Sequence, residues 1–447
     1  MQVRGVSGHK HSRVLIIGSG AAGMLAAISA KRAAQRSGRS CSVTVLERTP
    51  HSGTKIRISG GGKCNVTHSG TPGELLGAGF FRLRERRFLR PAVYGFSNRD
   101  LLDLLQSKGV VTGERSDGKV FPLGGDALTV VEAFEKMLRE LSVQQFFSTR
   151  VEGVELRGKL FYVKTTDGNF FTSDAVILAT GGLSYAQAGT TGDGIALACS
   201  LGHSIQNPSP ALAPLFTIKV PPASLSGVSL RSISLVASAQ GGMRSERRGD
   251  LLFTHRGFSG PAALSLSRDI SDLATVYGNV SLFADLFPEQ SVSELEEEFL
   301  KHAGKNGAQM VRKYLQSCPI APHRGAFAIT PDIGTIPASF VALVMKKSAL
   351  DNDVTWSRLD KVKRRALLAV LKQFPLGMVR DVSLDKGEVS AGGVSLEEVN
   401  PKTMESRIVP GLFICGELLD YAGEIGGYNL QAAFSTGWMA GKNAAGN

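Results

Sequence analysis

Apolar positions along this chain alternate between short continuous runs and helical spacing. Residues 14–17 form a strand-type run that stops at Gly18-Ser-Gly20-Ala21-Ala22-Gly23, and a helical pattern then continues to about residue 36. Residues 42–46 give a second apolar strand, which ends in Glu47. Asn98 is expected to cap a helix over 99–108, and Asp126 one that runs through Ala127, Val130, Val131, Phe134, Met137, Leu138 and Leu141. Residues 146–172 read as hairpin strands turned at Asp167-Gly168, and 174–178 as a buried strand running into Ala179-Thr180-Gly181-Gly182. Asp193 is expected to cap a helix over 194–201. Pro208, Pro210, Pro214, Pro221 and Pro222 then mark a domain crossing. Beyond it lie short β-type runs at 215–220, 232–239 and 251–254, and helical stretches at 293–302, 308–315 and 359–373. A strand at 411–415 and a helix at 430–442 close the chain. This order predicts an α/β nucleotide-binding domain built from 1–203 and 389–447, interrupted by an insert at 204–388.

The first strand, turn, helix and second strand form a dinucleotide fingerprint in the order that the chemistry requires. Gly18 allows a tight turn, Gly20 lets a pyrophosphate approach the backbone, and Gly23 lets the helix pack on the strand, while the helix N-terminus offers free N–H groups and partial positive charge. Glu47, beside Arg48, can accept hydrogen bonds from a ribose diol, which argues for an unphosphorylated adenosine ribose. Two further glycine surfaces follow. Gly60-Gly61-Gly62 stands between Ser59 and Lys63, with Lys55 and Arg57 adding positive charge. A loop from Tyr421 through Gly426, Gly427, Tyr428 and Asn429 opens the last helix at Leu430, where the helix dipole suits negative charge on a bound group. Thr180-Gly181-Gly182 again brings backbone to the carboxyl edge of a sheet, and Glu417, after Gly416, can accept hydrogen bonds from ligand hydroxyls. No second complete GxGxxG with its acid follows a later strand, so a dedicated nicotinamide domain is not expected.

Composition narrows the classes. At 447 residues with 43% hydrophobic and 20% charged residues, the chain is an ordinary globular protein of two or three structural units. No apolar segment is long enough for a membrane span, and the basic start MQVRGVSGHKHSR lacks an apolar signal core. Five cysteines without metal-type spacing fit free thiols in a reducing cytoplasm. A net charge of +12 favours anionic ligands.

The block GTKIRISGGGKCNVTH, together with LSYAQAGTTGDG, LFTHRGFSGPAAL and EVSAGGV, resembles the YhiN/BaiN-like NAD(P)/FAD-dependent oxidoreductases. That resemblance implies a Rossmann-like FAD-binding domain of glutathione-reductase/fumarate-reductase type with an inserted β-barrel plus helical domain, the helices at about 266–350. It implies that Ser59 to Asn65 wraps the flavin and pyrophosphate with Cys64 and Asn65 near the isoalloxazine, and that the Val151 backbone meets adenine. Lys63 stands where the family more often has arginine, and Ala186 where it has proline. The hairpin Gly118-Lys-Val-Phe-Pro122 reads as structural. The activity implied is hydride transfer between flavin N5 and a small organic substrate held between the two domains, in the sense of reducing a carbonyl-conjugated C=C bond. NAD(P)H is the expected transient donor. Tyr428, Tyr185 and His255 are the candidate acids, and Arg256 the group that polarises the carbonyl. Two alternatives are an FAD-dependent amine oxidase and an RNA-associated flavoprotein, the latter motivated by the basic runs at 82–90, 244–248 and 361–365.

Overall fold

The computed structural model describes residues 11–318 and 335–446. Residues 1–10 of the basic start lie outside the described residues. Two compact units are present, one taking in the chain up to Ser209 and from Val389, the other spanning Pro210–Glu388.

The first unit is built on a five-stranded sheet in the order Leu412–Ile414, Ala175–Leu178, β1 (Ser12–Ile17), β2 (Cys41–Leu46) and Gln144–Phe146. Every adjacent pair is parallel. Strands covered on both faces read as unbroken apolar runs, and Val14 to Ile17 and Ala175 to Leu178 are buried throughout. The connection from β1 to β2 is α1 (Ala21–Arg36). The last helix, Tyr428–Ala444, lies along α1 so closely that a methyl group on Gly437 or Gly441 would stand 2.1 or 1.9 Å from the carbonyl oxygens of Ala22 and Ala26. Those pairs advance in step along both chains, so the two helices are parallel. Two antiparallel three-stranded sheets also belong to this unit, one of Val151–Arg157, Leu160–Thr165 and Phe170–Ser173, the other of Thr67–His68, Lys119–Pro122 and Thr112–Glu114.

The second unit contains a closed six-stranded barrel, Leu215–Thr217, Gly257–Ser259, Arg244–Phe253, Ser229–Ala239, Val280–Asp285 and Phe374–Val382 in hydrogen-bonding order. Val280–Asp285 shows the strict in-and-out burial of a strand with one face on a core. Helices Pro261–Tyr277, Val292–Lys305, Val311–Ser317, Ala338–Lys347 and Lys361–Lys372 belong to the same unit. No helix among the described residues is long and apolar enough to cross a membrane.

Two expected caps are corrected. Ser97 caps the helix Asn98–Gln106, because its hydroxyl accepts from Asp100 N while the Asp100 carboxylate accepts from Ser97 N; Asn98 is already the first helical residue. The helix Asp193–Ser200 starts from Gly192, whose φ of 84° makes the turn, and this frees the Asp193 carboxylate for other partners. The arginine-rich 82–90 segment lies mostly on the helix Leu83–Gly95, with Phe88, Leu89, Ala92 and Val93 on its buried face.

Alanine normally stabilises an exposed helical glycine site by about 1 kcal/mol. At Gly441 the added methyl would enter the Ala26 backbone, so Gly441→Ala should instead cost roughly 1–3 kcal/mol. Thermal unfolding will read this as a lowered Tm; an unchanged or raised Tm contradicts the packing.

Candidate functional site

The fingerprint glycines have three distinct physical roles. Gly18 ends β1 at φ +104°, donates to Leu46 O at 2.8 Å, and would place a Cβ 2.5 Å from Ala179 O. A Cβ on Gly23 would lie 1.9 Å from Gly18 O. Gly20 is different, because its φ of −80° suits any residue and an added Cβ would touch nothing within 4 Å. The fold needs glycine at 18 and 23. At 20 it leaves bare backbone at the start of α1, whose first amides have no side-chain cap.

Beside this turn is a cleft lined by Gly18, Glu47, Arg48, Val151, Thr180 and Asp193, among others. The Glu47 carboxylate accepts from Ser19 N at 2.6 Å and from Thr49 N and Oγ1 at 2.8 Å. Arg150 donates to Asp193 at 2.9 and 2.8 Å, and Arg48 donates to Asp193 at 3.2 Å and to Thr191. Arg150, with Arg48 in support, holds the Asp193 carboxyl below the usual carboxylate range. Arg150 and Asp193 were missed in the sequence as site residues; the only signal was their adjacency to Val151 and to the Gly181-Gly182 loop.

At the second glycine surface Gly60, Gly61 and Gly62 take φ of 57°, 67° and 84°, and Cys64 follows at 53°. Cys64 N closes the loop on Ser59 O at 3.0 Å. The Cys64 thiol is fully buried, and burial pushes it up to about 11, so it is a neutral group. Asn65 is buried, with its side-chain oxygen unpartnered. The Thr180 hydroxyl is a second buried, unpartnered polar atom near the fingerprint.

A polar network joins four separate segments. Lys55 Nζ donates to Glu417 at 2.7 Å and to Ser184 Oγ at 2.9 Å, while Ser390 N donates to the other Glu417 oxygen at 2.9 Å. Ser390 Oγ accepts from Leu183 N, and a Cβ on Gly182 would lie 2.1 Å from it. Gly416 N donates to Thr436 Oγ1 of the last helix. Lys55 and Glu417, each chosen for the cofactor, are thus brought to one another, with Ser184 and Ser390 as partners that sequence reading missed.

The third surface is closed by Asn429, whose amide bonds Gly423 N at 2.7 Å and Gly423 O at 2.9 Å. Gly427, at φ +89°, packs directly on the Thr67 backbone. Tyr428 points inward. Its ring fills the space left by Gly79, stacks on His68 at 4.8 Å, and is 1% exposed; burial, with Glu424 nearby, raises its pKa. Tyr185 stands at φ +55° with 37% exposure, its carbonyl held by Ala188 N and Thr190 Oγ1. His255 and Arg256 lie in the second unit, exposed in the turn between Arg244–Phe253 and Gly257–Ser259, with the Arg256 guanidinium 4.9 Å from the Phe216 ring centre.

α1 and the last helix carry their positive ends in the same direction. Measured from the paired glycine contacts, the last helix starts about eight residues further out, roughly 12 Å along the axis. Two staggered helix N-termini, a bare backbone at Gly20, an acid at Glu47 and an open cleft fit an extended dinucleotide.

The model of the HI0933-like protein Rossmann domain matches residues 12–443. The chain belongs to this family. It is 33% identical over 435 residues to the 3-dehydro-bile acid delta(4,6)-reductase of Clostridium scindens, covering 97% of this chain and 99% of the relative. It is 29% identical to the ribosomal RNA dihydrouridine synthase of Haemophilus influenzae, covering 96% and 97%. Among solved structures, the 3-ketosteroid-delta4-(5alpha)-dehydrogenase of Rhodococcus jostii RHA1 aligns with a TM-score of 0.42 at 18% identity, covering 97% of each chain. The HI0933-like chain is therefore a flavoprotein oxidoreductase with a Rossmann-type FAD-binding domain.

Gly20→Ala should leave the Tm of the FAD-stripped protein unchanged and sharply reduce FAD retained through gel filtration; full retention would show that nothing approaches that backbone. Asp193→Asn tests the electrostatics. A depressed carboxyl contributes stability above its unfolded pKa of about 3.9 and loses it as pH falls through the lower folded value. Urea unfolding should show a gap of about 1 kcal/mol between wild type and Asp193→Asn at pH 7, reduced by the exposure of Arg150. The gap should stay constant down to about pH 5 and close below about pH 4.

Proposed function

We propose that this protein reduces a carbon–carbon double bond conjugated to a carbonyl, using FAD as the bound cofactor and NADH or NADPH as the donor. The observation that carries the reading is the glycine at position 20, which the fold does not need and a pyrophosphate does. The two kinds of relative supply the reaction class. A 3-dehydro bile acid with Δ4,6 unsaturation has its alkenes conjugated to a ketone, and making dihydrouridine saturates a uracil C=C bond conjugated to a ring carbonyl. The same polarity of addition serves both: hydride to the carbon β to the carbonyl, or δ for the Δ6 bond through its conjugation, and a proton to the neighbouring carbon nearer the carbonyl.

When bound, the flavin supplies the hydride at N5. The α1 N-terminus and Gly18 to Gly23 hold the pyrophosphate, Glu47 the adenosine ribose, the Val151 backbone the adenine, and Thr180 to Gly182 the adjoining backbone edge. Ser59 to Asn65 and Gly426 to Leu430 flank the ring system, and the last helix's positive end favours negative charge on it. The Lys55–Glu417–Ser184–Ser390 network fixes the loops around the ribityl chain. Tyr185 is the proton donor assigned to the α-carbon, because its phenol is exposed while that of Tyr428 is enclosed. His255 and Arg256 are exposed groups suited to the substrate carbonyl.

A second substrate class, uracil within RNA, is favoured by the 29% identical relative. The basic runs give it limited support in the second unit, where Arg247 pairs with Asp269, Arg248 with Glu289 and Arg364 with Glu296.

Anaerobic absorbance of the purified protein tests the proposal. Flavin bands should bleach on adding NADH or NADPH and return on adding an enone. Return with ribosomal RNA but no enone would assign the RNA substrate. Bands that never bleach, with peroxide released from amines in air, would make the protein an oxidase. Tyr185→Phe should slow enone reoxidation by about 10²-fold or more while FAD stays bound.

A further inference from the structure

The hairpin made by Thr112–Glu114 and Lys119–Pro122 contributes a feature that the glycine surfaces do not provide. Arg115, exposed in its turn, has its guanidinium carbon 3.9 Å from the centre of the Phe121 ring. Phe121 in turn borders the second glycine surface, since a Cβ on Gly60 would lie 3.4 Å from its ring. At its other end the hairpin is tied to the third surface. The Asp117 carbonyl is 3.0 Å from His68 Nε2, and His68 stacks on Tyr428 at the start of the last helix. A Cβ on Gly118 would lie 2.2 Å from the His68 ring, so the turn cannot slide along it. The hairpin is thereby fastened to both loops that flank the ring system in the reading above.

A guanidinium held over an aromatic ring by cation–π attraction keeps its N–H donors available to a second partner. Neighbouring cations are already engaged, Lys119 by Asp117 and Lys55 by Glu417. Among the described residues, Arg115 and Lys63 have no carboxylate partner. Ile58, one residue before the glycine loop, is 47% exposed and adds an apolar border. We infer that Arg115, with Lys63 nearby, binds a carboxylate on an otherwise apolar substrate, so that the double bond reduced belongs to an organic acid. A planar guanidinium pairs two N–H groups with a carboxylate's two oxygens, and an ester cannot accept that pairing as strongly. The inference rests on the reductase reading for the identity of the substrate, but the binding site stands apart from turnover.

The test uses the oxidised holoenzyme with no reductant, titrated with an enone-bearing steroid carboxylic acid and with its methyl ester while the flavin absorbance shift is recorded. The acid should bind more tightly than the ester. Arg115→Gln should weaken the acid roughly ten-fold or more and leave the ester unchanged, with FAD content equal to wild type. Arg115→Lys should fall between the two. Equal weakening of both probes, no change for the acid, or no binding of either to wild type would overturn the inference. So would loss of affinity confined to an oligouridylate, which would assign Arg115 to an RNA phosphate. If the acid binds through Arg115 yet never reoxidises reduced enzyme, the carboxylate site holds and the reductase reading fails.

Discussion

At the centre of the larger unit two parallel helices touch backbone to backbone, and the glycine surfaces of the site depend on that contact. A residue with any side chain at Gly437 or Gly441 would push the last helix off α1. The displacement would carry Gly427 away from the Thr67 backbone and Thr436 away from Gly416, both of which rest on the last helix's position. Packing is thus a means of placing charge. The parallel arrangement turns two helix N-termini to the same side, staggered along the axis, so that partial positive charge is presented twice along one extended anion.

What could be read from sequence is what is local. Gly18, Gly20 and Gly23 act within six residues of one another, so their spacing carries their roles. The parallel sheet was likewise legible in its short apolar runs, whereas the barrel was expected only from the family resemblance: Gly257–Ser259, Val280–Asp285 and Phe374–Val382, three of its six strands, gave no run that was read as β. Gly437 and Gly441 were not, because a glycine in a helical pattern looks like a small loss of propensity until its partner helix, some 415 residues earlier in the chain, is known. The same holds for Lys55 and Glu417, each marked on its own segment, whose pairing spans 362 positions. Asp193 looked like a cap because acids favour that position, but Gly192 in left-handed geometry took the turn and left the carboxylate for Arg48 and Arg150. Tyr428 was a candidate acid in the glycine-rich loop ahead of the last helix; Gly79, 349 residues upstream, provides the space that turns it inward.

The glycine loops and the polar network divide the work of ordering the site. Left-handed backbone at Gly60, Gly61 and Gly62 is inexpensive for glycine but loses conformational entropy on folding. Cys64, at φ +53°, takes the same geometry without that freedom and is held by burial and by the bond to Ser59. Where backbone is bare, fixed side chains stand next to it, as Ser390 does against Gly182 and Asn429 against Gly423.

Net charge takes on meaning only after the engaged cations are set aside. Of the twelve lysines and arginines in the basic runs that first suggested nucleic acid, four are held by carboxylates: Arg84 by Asp420, Arg247 by Asp269, Arg248 by Glu289 and Arg364 by Glu296. A cation already paired offers a phosphate backbone only the exchange of one partner for another, and at the surface that exchange is worth little. Arg115 is not exchanged in this way. It sits on a ring rather than on an acid, keeps its donors, and lies on the hairpin that joins two glycine surfaces. A single guanidinium on a ring suits one carboxylate of a small molecule, the role inferred for Arg115, whereas a polyanion is held by many cations in a row.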